Sequence, residues 1–348
     1  MIKFNEIQTI PNTKKEILKY GDSDVSSFLK YFSMRYEKYK DRFIVESRFL
    51  WQMYQKQTKI RMLLVEMEDG DVVYCYMKNV TIYPAIYIIL MGRPISSHGN
   101  TGNEDKVLVE LCQYKHIVGF EAIQEEIDYL NSTNLIEHFE IKPPYYDEYY
   151  IHTKSRFEDY LNLGKWRSKY SINKLKSNSD FVFRQFRNED YEKNVKLVEL
   201  WKSSHNKKVT KFNVTFETKS YFDILNKVNE GKLLDEYLIY NLFYKEELVG
   251  CIIFLVVKVG DIKISYQEHN INLSRKFENE NQLNIDNNFF KNIGNIMFYL
   301  TTEDLIKKGI EYSYCQGVKF WSKQKSGEYK KRLNDRTIEF SKIFFKNS

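Results

Sequence analysis

Glycine and proline are scarce, with 14 and 5 residues in a chain of 348. Together with 43% hydrophobic and 29% charged residues, this excludes a collagenous, linker-like or disordered polypeptide and suits about two domains. Long apolar runs are missing too. The longest, Leu248 to Val257, stops at Lys258 after ten residues, whereas a helix needs about 20 to cross a bilayer core. The first residues, Met1-Ile2-Lys3-Phe4-Asn5-Glu6, lack the basic-then-apolar pattern of a secretory signal. There are four cysteines (Cys75, Cys112, Cys251 and Cys315), widely spaced and each inside an apolar or aromatic stretch. No Cys-x-x-Cys pair occurs, so buried free thiols and a reducing, cytoplasmic setting are expected, without structural zinc. Walker, His-Glu-x-x-His and Gly-x-Ser-x-Gly motifs are also absent.

Aromatic residues are plentiful, but Tyr, Asn, Lys and Ile are all high together, so aromatic content alone says nothing about base stacking. Charge is more informative. The net +6 is concentrated in two places. Residues 318–348 hold nine basic and three acidic side chains, and residues 153–177 hold seven basic and two acidic. The remainder is mildly acidic. Two basic segments on an acidic body suggest an anionic partner: nucleic acid, a phosphorylated cofactor or an acidic surface. A solvated helix face followed by a polar tail would produce the same pattern.

No repeat shows by identity. The first region opens with helical periodicity over residues 25–38 and 46–56. Two strands follow, 62–67 and 72–77, joined by Glu68-Asp69-Gly70-Asp71, which suits a hairpin. Residues 85–91 read as a buried strand, 104–114 as a helix, and 117–129 as containing another strand. The loop His98-Gly99-Asn100-Thr101-Gly102 reads as a plain turn or an anion-binding turn, and Pro143-Pro144 reads as a break. Residues 156–176 read as a long, basic, partly exposed helix. The rest alternates strand (181–186), helix (from Asn188-Glu189-Asp190), helix (219–230), three strands (238–244, 249–257, 262–270), a helix ending at Gly309 and a short strand (312–316). This order predicts an α+β architecture with a mixed, mainly antiparallel sheet.

The run from Phe181 through Asn188-Glu189-Asp190 to Trp201 resembles the opening unit of the GCN5-related N-acetyltransferase (GNAT) fold. The hairpin through Lys245-Glu246-Glu247-Leu248-Val249-Gly250 resembles its second and third strands. Over most of its length the chain resembles the tandem-GNAT, Fem-type aminoacyl transferases and lipid lysyltransferase catalytic domains. The basic helix with Lys165-Trp166-Arg167-Ser168-Lys169-Tyr170 is similar to their linker. Ile310 to Gly317 is similar to their turn-and-strand segment, and Gly327-Glu328-Tyr329-Lys330 to their closing segment. The family's Phe-Gly after the closing lysine is replaced here by Arg332-Leu333-Asn334-Asp335. The resemblance implies an N-terminal GNAT-like domain (1–152), a basic linker helix (153–178) and a C-terminal GNAT-like domain (179–348).

Acyl transfer needs an activated donor, a proton acceptor for the nucleophile and donors for the oxyanion. The expected fourth strand of the second domain ends in Tyr266-Gln267-Glu268-His269-Asn270, where Glu268 or His269 could serve as base. Alternation puts Tyr266, Glu268 and Asn270 on one face and Gln267 and His269 on the other, so both cannot act together without a bulge. As plain sheet-edge residues they would have no such role. Between Asn270 and Asn288 there is no glycine, which removes the usual pyrophosphate cradle. By resemblance, Lys330 is the catalytic cation, with Tyr266, Lys319, Lys323, Tyr329, Arg167 and Lys169 contacting substrate. The implied donors are aminoacyl-tRNA or acyl-CoA, with no tightly bound cofactor, and the acceptor is an amine or hydroxyl. The competing expectation is a nucleic-acid-binding or nucleic-acid-modifying protein whose two basic segments form a groove. Oligomeric state is left open.

Overall fold

A computed structural model describes residues 14–19, 25–39, 60–82, 85–152, 172–173, 175–205, 211–231, 237–259, 262–273, 293–319 and 336–346. The elements fall into two compact units that divide near Tyr149, with the C-terminal strand belonging to the first. The expected helix over residues 46–56 lies outside the described residues, as does nearly all of the basic linker.

The first unit contains β1 (Lys14–Lys19), α1 (Val25–Tyr39), β2 (Ile60–Glu66), β3 (Val72–Ile82), β4 (Ala85–Leu90), β5 (Ile95–Ser96), α2 (Thr101–Leu111), β6 (Ile117–Ala122), α3 (Gln124–Ser132) and β7 (Phe139–His152). Pro143 and Pro144 fall inside β7 instead of ending a strand, since proline's fixed φ is compatible with extended backbone at the loss of a ladder donor. Strands β1 to β4 pair antiparallel in sequence order, and β4 then pairs parallel with β6. The core lies beneath α2 and α3 and includes Leu63, Cys75, Leu90, Leu108 and Phe120.

The second unit contains β8 (Phe181–Gln185), α4 (Tyr191–His205), α5 (Lys211–Asn229), β9 (Tyr237–Tyr244), β10 (Glu247–Val259), β11 (Ile262–Asn272), α6 (Ile293–Lys307) and β12 (Ile310–Lys319). Its sheet runs β12-β11-β10-β9-β8. All its neighbouring pairs are antiparallel except β11 with β12, which is parallel. Cross-strand neighbours Tyr240 and Ile252 lie on the face toward α6, because Tyr240 Oη donates to Asp304 Oδ2 at 2.5 Å. The opposite face, carrying Cys251 and His269, meets Tyr221 of α5. Both units therefore share one motif: three antiparallel strands, a helix, and a strand returning parallel to the third.

The last strand, β13 (Arg336–Phe345), lies away from the sequence-implied second domain. It pairs antiparallel with β6, Ser341 opposite Ala122 through Phe344 opposite Gly119. Ile343 and Phe345 are 0% and 3% exposed in the first unit's core. Their burial draws the strand there, and the basic residues around them read as a polar tail only when the two apolar positions are overlooked. Gly119 makes the pairing possible, since a Cβ there would stand 1.9 Å from the Ile343 carbonyl oxygen. Cys75, Cys112 and Cys251 are free and buried, as expected.

Candidate active site

The titratable run on β11 does not alternate. Tyr266 pairs with Leu255, Gln267 with Phe254, and His269 with Ile253, so Glu268 is an additional residue, a β-bulge. Leu255 and Ile253 lie two apart on β10 and share a face; Tyr266 and His269, opposite them, share it too. Asn270, opposite Ile252, turns to the other face with Gln267. This reverses the expected grouping, because one inserted residue inverts every position after it. The three side chains are deeply placed: Tyr266, Glu268 and His269 are 5%, 2% and 9% exposed.

The same point on β11 is where its parallel neighbour leaves it. Among the described residues the pairs run from Lys263–Ile310 to Tyr266–Tyr314. Ser265 Oγ donates to Ser313 Oγ at 3.0 Å just before the end, with both serines fully buried. Strand β11 continues to Asn272, so the bulge stands at the mouth of a splay between two strands. On the α6 side of that projecting arm, Asn272 Nδ2 donates to Asn270 Oδ1 at 2.7 Å.

The first unit has no such arm. Its parallel pairing ends at Leu90–Phe120, and β4 ends with it. The residues that follow are held by α1: Tyr31 Oη donates to the Met91 carbonyl at 3.1 Å and Arg35 Nη1 to that of Arg93 at 3.3 Å. At Gly92, with φ +104°, an alanine Cβ would stand 2.4 Å from Arg35 Nη1. Arg35 also binds Glu126 Oε1 at 3.0 Å, and both side chains are buried. Burial raises the Glu126 pKa, but the Arg35 charge and the Arg93 amide outweigh it, and the carboxyl lies below its usual range.

The loop His98-Gly99-Asn100-Thr101-Gly102 is a turn in which the amides of His98, Gly99, Asn100 and Gly102 are already hydrogen-bonded. Asp71 accepts from Ser96 Oγ at 2.7 Å, Ser97 Oγ at 2.9 Å, the His98 amide at 3.2 Å and Asn103 Nδ2 at 2.9 Å. Asn100 caps α2 by accepting from the Gly102 and Asn103 amides. A buried carboxylate already sits where an anion would, so of the two sequence expectations the plain turn fits.

His269 is set against α5. Its ring meets that of Tyr221 edge to face, centroids 5.7 Å apart. Burial alone depresses its pKa to about 4, so the imidazole is neutral in neutral solution. Of the groups nearby, Tyr221 and Asn194 carry no sequence signal, Cys251 is one of the expected buried thiols, and Asp190 belongs to the Asn188-Glu189-Asp190 helix start. Asp190 is 1% exposed and receives both Arg184 guanidinium nitrogens, at 2.5 and 2.7 Å. Of the other expected contacts, Lys319 ends β12, and Lys323, Tyr329, Lys330, Arg167 and Lys169 lie outside the described residues.

Neither a protein-family model nor a curated protein matches the sequence. Solved structures do match in shape. A conserved protein of unknown function from Bacteroides thetaiotaomicron superposes with a TM-score of 0.54 at 13% identity, covering 82% of this chain and 86% of that one. A crystal structure of FemX superposes with a TM-score of 0.52 at 9% identity, covering 82% of this chain and 89% of that one. The fold is tandem GNAT-like, of the Fem type. At these identities the likeness establishes architecture, and chemistry has to be argued from the side chains.

Proposed function

We propose that this chain transfers an acyl or aminoacyl group from an activated donor, aminoacyl-tRNA or acyl-CoA, to an amine or hydroxyl acceptor. The observation that carries this reading is the bulge at Glu268. It puts Tyr266 and His269 on one face at the point where β11 and β12 part. A donor carbonyl held in the splay would meet an acceptor on the His269 side of the strand. The acceptor nitrogen or oxygen attacks that carbonyl and its proton passes to the Glu268 carboxylate. His269, being neutral, accepts a hydrogen bond that orients the nucleophile. The tetrahedral intermediate then collapses, and the tRNA 3′-oxygen or CoA sulfur leaves with a proton returned by Glu268.

Lys330 is assigned to the oxyanion or the donor phosphates, and Tyr266 to the acceptor. Lys319, Lys323, Tyr329, Arg167 and Lys169 are assigned to the anionic donor, which suits the two basic segments. With an aminoacyl-tRNA donor, binding should weaken steeply with salt as counterions are released. Among the described residues the splay belongs to the second unit; in the first, α1 with Tyr31 and Arg35 holds the corresponding segment.

The test incubates the full chain with labelled aminoacyl-tRNA or acetyl-CoA and amine, hydroxyl, peptide and lipid acceptors. Transfer should occur with one donor and fall by about 10²–10⁴ in Glu268→Gln, the typical range for a proton-transfer group. Absence of transfer and of donor-dependent thermal shift with both donors would refute the reading. Salt-sensitive binding of uncharged tRNA without transfer would favour the nucleic-acid-binding alternative.

A further inference from the structure

Beneath the candidate site lies a directed chain of buried polar groups that the proposed reaction does not use. Tyr221 is fully buried, and its hydroxyl donates to Asn194 Oδ1 at 2.7 Å. Asn194, itself fully buried, donates through Nδ2 to the Asp190 carbonyl at 3.1 Å. The Cys251 thiol of β10 is electrostatically coupled to the Tyr221 hydroxyl. Asn194 Oδ1 is the acceptor for the tyrosine's hydroxyl hydrogen. The chain runs from β10 through α5 to the first turn of α4. There Asp190 is clamped by Arg184 and also accepts from the Arg187 amide at 3.0 Å. Nothing in packing alone requires so many polar groups in a sheet–helix interface, and each adds a directional constraint on the Tyr221 ring. That ring is what His269 leans on.

We propose that Tyr221 is a positioning residue for His269: anchored at its hydroxyl by Asn194, it fixes the imidazole plane and excludes water from it. This rests on the functional reading for its purpose, but not for its test. A neutral imidazole accepts a hydrogen bond along one direction only, so a ring free to rotate would aim poorly at the acceptor. The titratable groups around the cluster are Tyr221 from α5, Cys251 from β10, Asp190 at the head of α4, and Tyr266 and Glu268 from the strand of His269 itself.

The experiment is an imidazole NMR titration of the full chain, with His269→Gln identifying the His269 signal. In the wild type the signal should be single and titrate near 4. Tyr221→Phe deletes one oxygen. It should retain the fold by circular dichroism, yet broaden or split the His269 signal and raise Cys251 reactivity toward a thiol reagent. Tyr221→Leu also removes the ring edge, and should move the His269 midpoint upward by more than one pH unit, toward the ordinary value of 6.5. If His269 signals in Tyr221→Phe match the wild type in shape and midpoint, the proposal is wrong, whether or not Tyr221→Leu folds. Once transfer is established, Tyr221→Phe should lower kcat at least tenfold with KM within twofold, a split that plain destabilisation would not produce. Absence of transfer in every variant, with the NMR changes present, would overturn the functional reading and leave the positioning role standing.

Discussion

Burial of His269 predicts a specific acid sensitivity. Its pKa is depressed from 6.5 to about 4 because the folded protein disfavours the charged ring. Between those values the unfolded chain binds a proton that the folded chain refuses. Unfolding free energy therefore rises with pH across this window: the protein is unaffected above 6.5 and loses stability as pH falls toward 4. At about 1.4 kcal/mol for each pH unit between the two values, the full loss is roughly 3 kcal/mol. His269→Gln cannot titrate, so its stability at pH 7.5 contains a fixed cost for the buried amide but lacks this slope. The assay is urea unfolding of both proteins at half-unit steps from pH 7.5 to 4. As pH falls over that range the wild type should lose roughly 3 kcal/mol relative to the variant, most steeply near pH 5 to 6. Carboxylates with lowered pKa values, such as Asp71 and Glu126, are common to both proteins and cancel in the difference. A difference that stays flat with pH would mean that His269 is solvated or charge-paired in the folded protein, and the account of the site would fail with it.

Other consequences can be measured on stability alone. The β9–β10 hairpin turns through Lys245 and Glu246 with φ of 47° and 69°, a two-residue geometry that favours Asn-Gly. Replacing them by Asn and Gly should therefore raise the thermal midpoint, with a gain of about 1 kcal/mol from relieved left-handed strain. Gly119→Ala places a Cβ 1.9 Å from the Ile343 carbonyl. It should expel β13 from its place beside β6, cost roughly 3 kcal/mol or more, and expose the C-terminal strand to protease. Arg35→Met leaves the buried Glu126 carboxylate without one of its two arginine-borne partners and should destabilise the first unit by about 3 kcal/mol in denaturant.

Local signals in the sequence carried much of the architecture. The hairpin at Glu68 to Asp71, the helix ending at Gly309 and the strands around Lys245-Glu246 each follow from short-range turn chemistry and periodicity, and each is present. The polar end of β11 was legible as a candidate site for the same reason. What escaped is what depends on partners far along the chain. The bulge at Glu268 exists only relative to β10, so plain alternation set Tyr266 and His269 on opposite faces. β13 has two core residues, Ile343 and Phe345, hidden among lysines. Their destination beside Gly119 lies more than 200 residues away in sequence, beyond the reach of any local pattern. Tyr221 and Asn194 sit singly in amphipathic helices, where neither spacing nor charge marks them. The common motif of the two units, invisible by residue identity, shows only in strand order.

The central claim is that an acyl donor enters the splay beside the β11 bulge of the second unit. Hydrogen exchange of the full chain, with and without saturating acetyl-CoA or aminoacyl-tRNA, addresses it directly. Donor-dependent protection is expected over residues 267–272 on β11, none over residues 92–100 of the first unit, and loss of the effect when the donor is omitted. Protection confined to the first unit, or binding that leaves residues 267–272 unchanged with both donors, would contradict it.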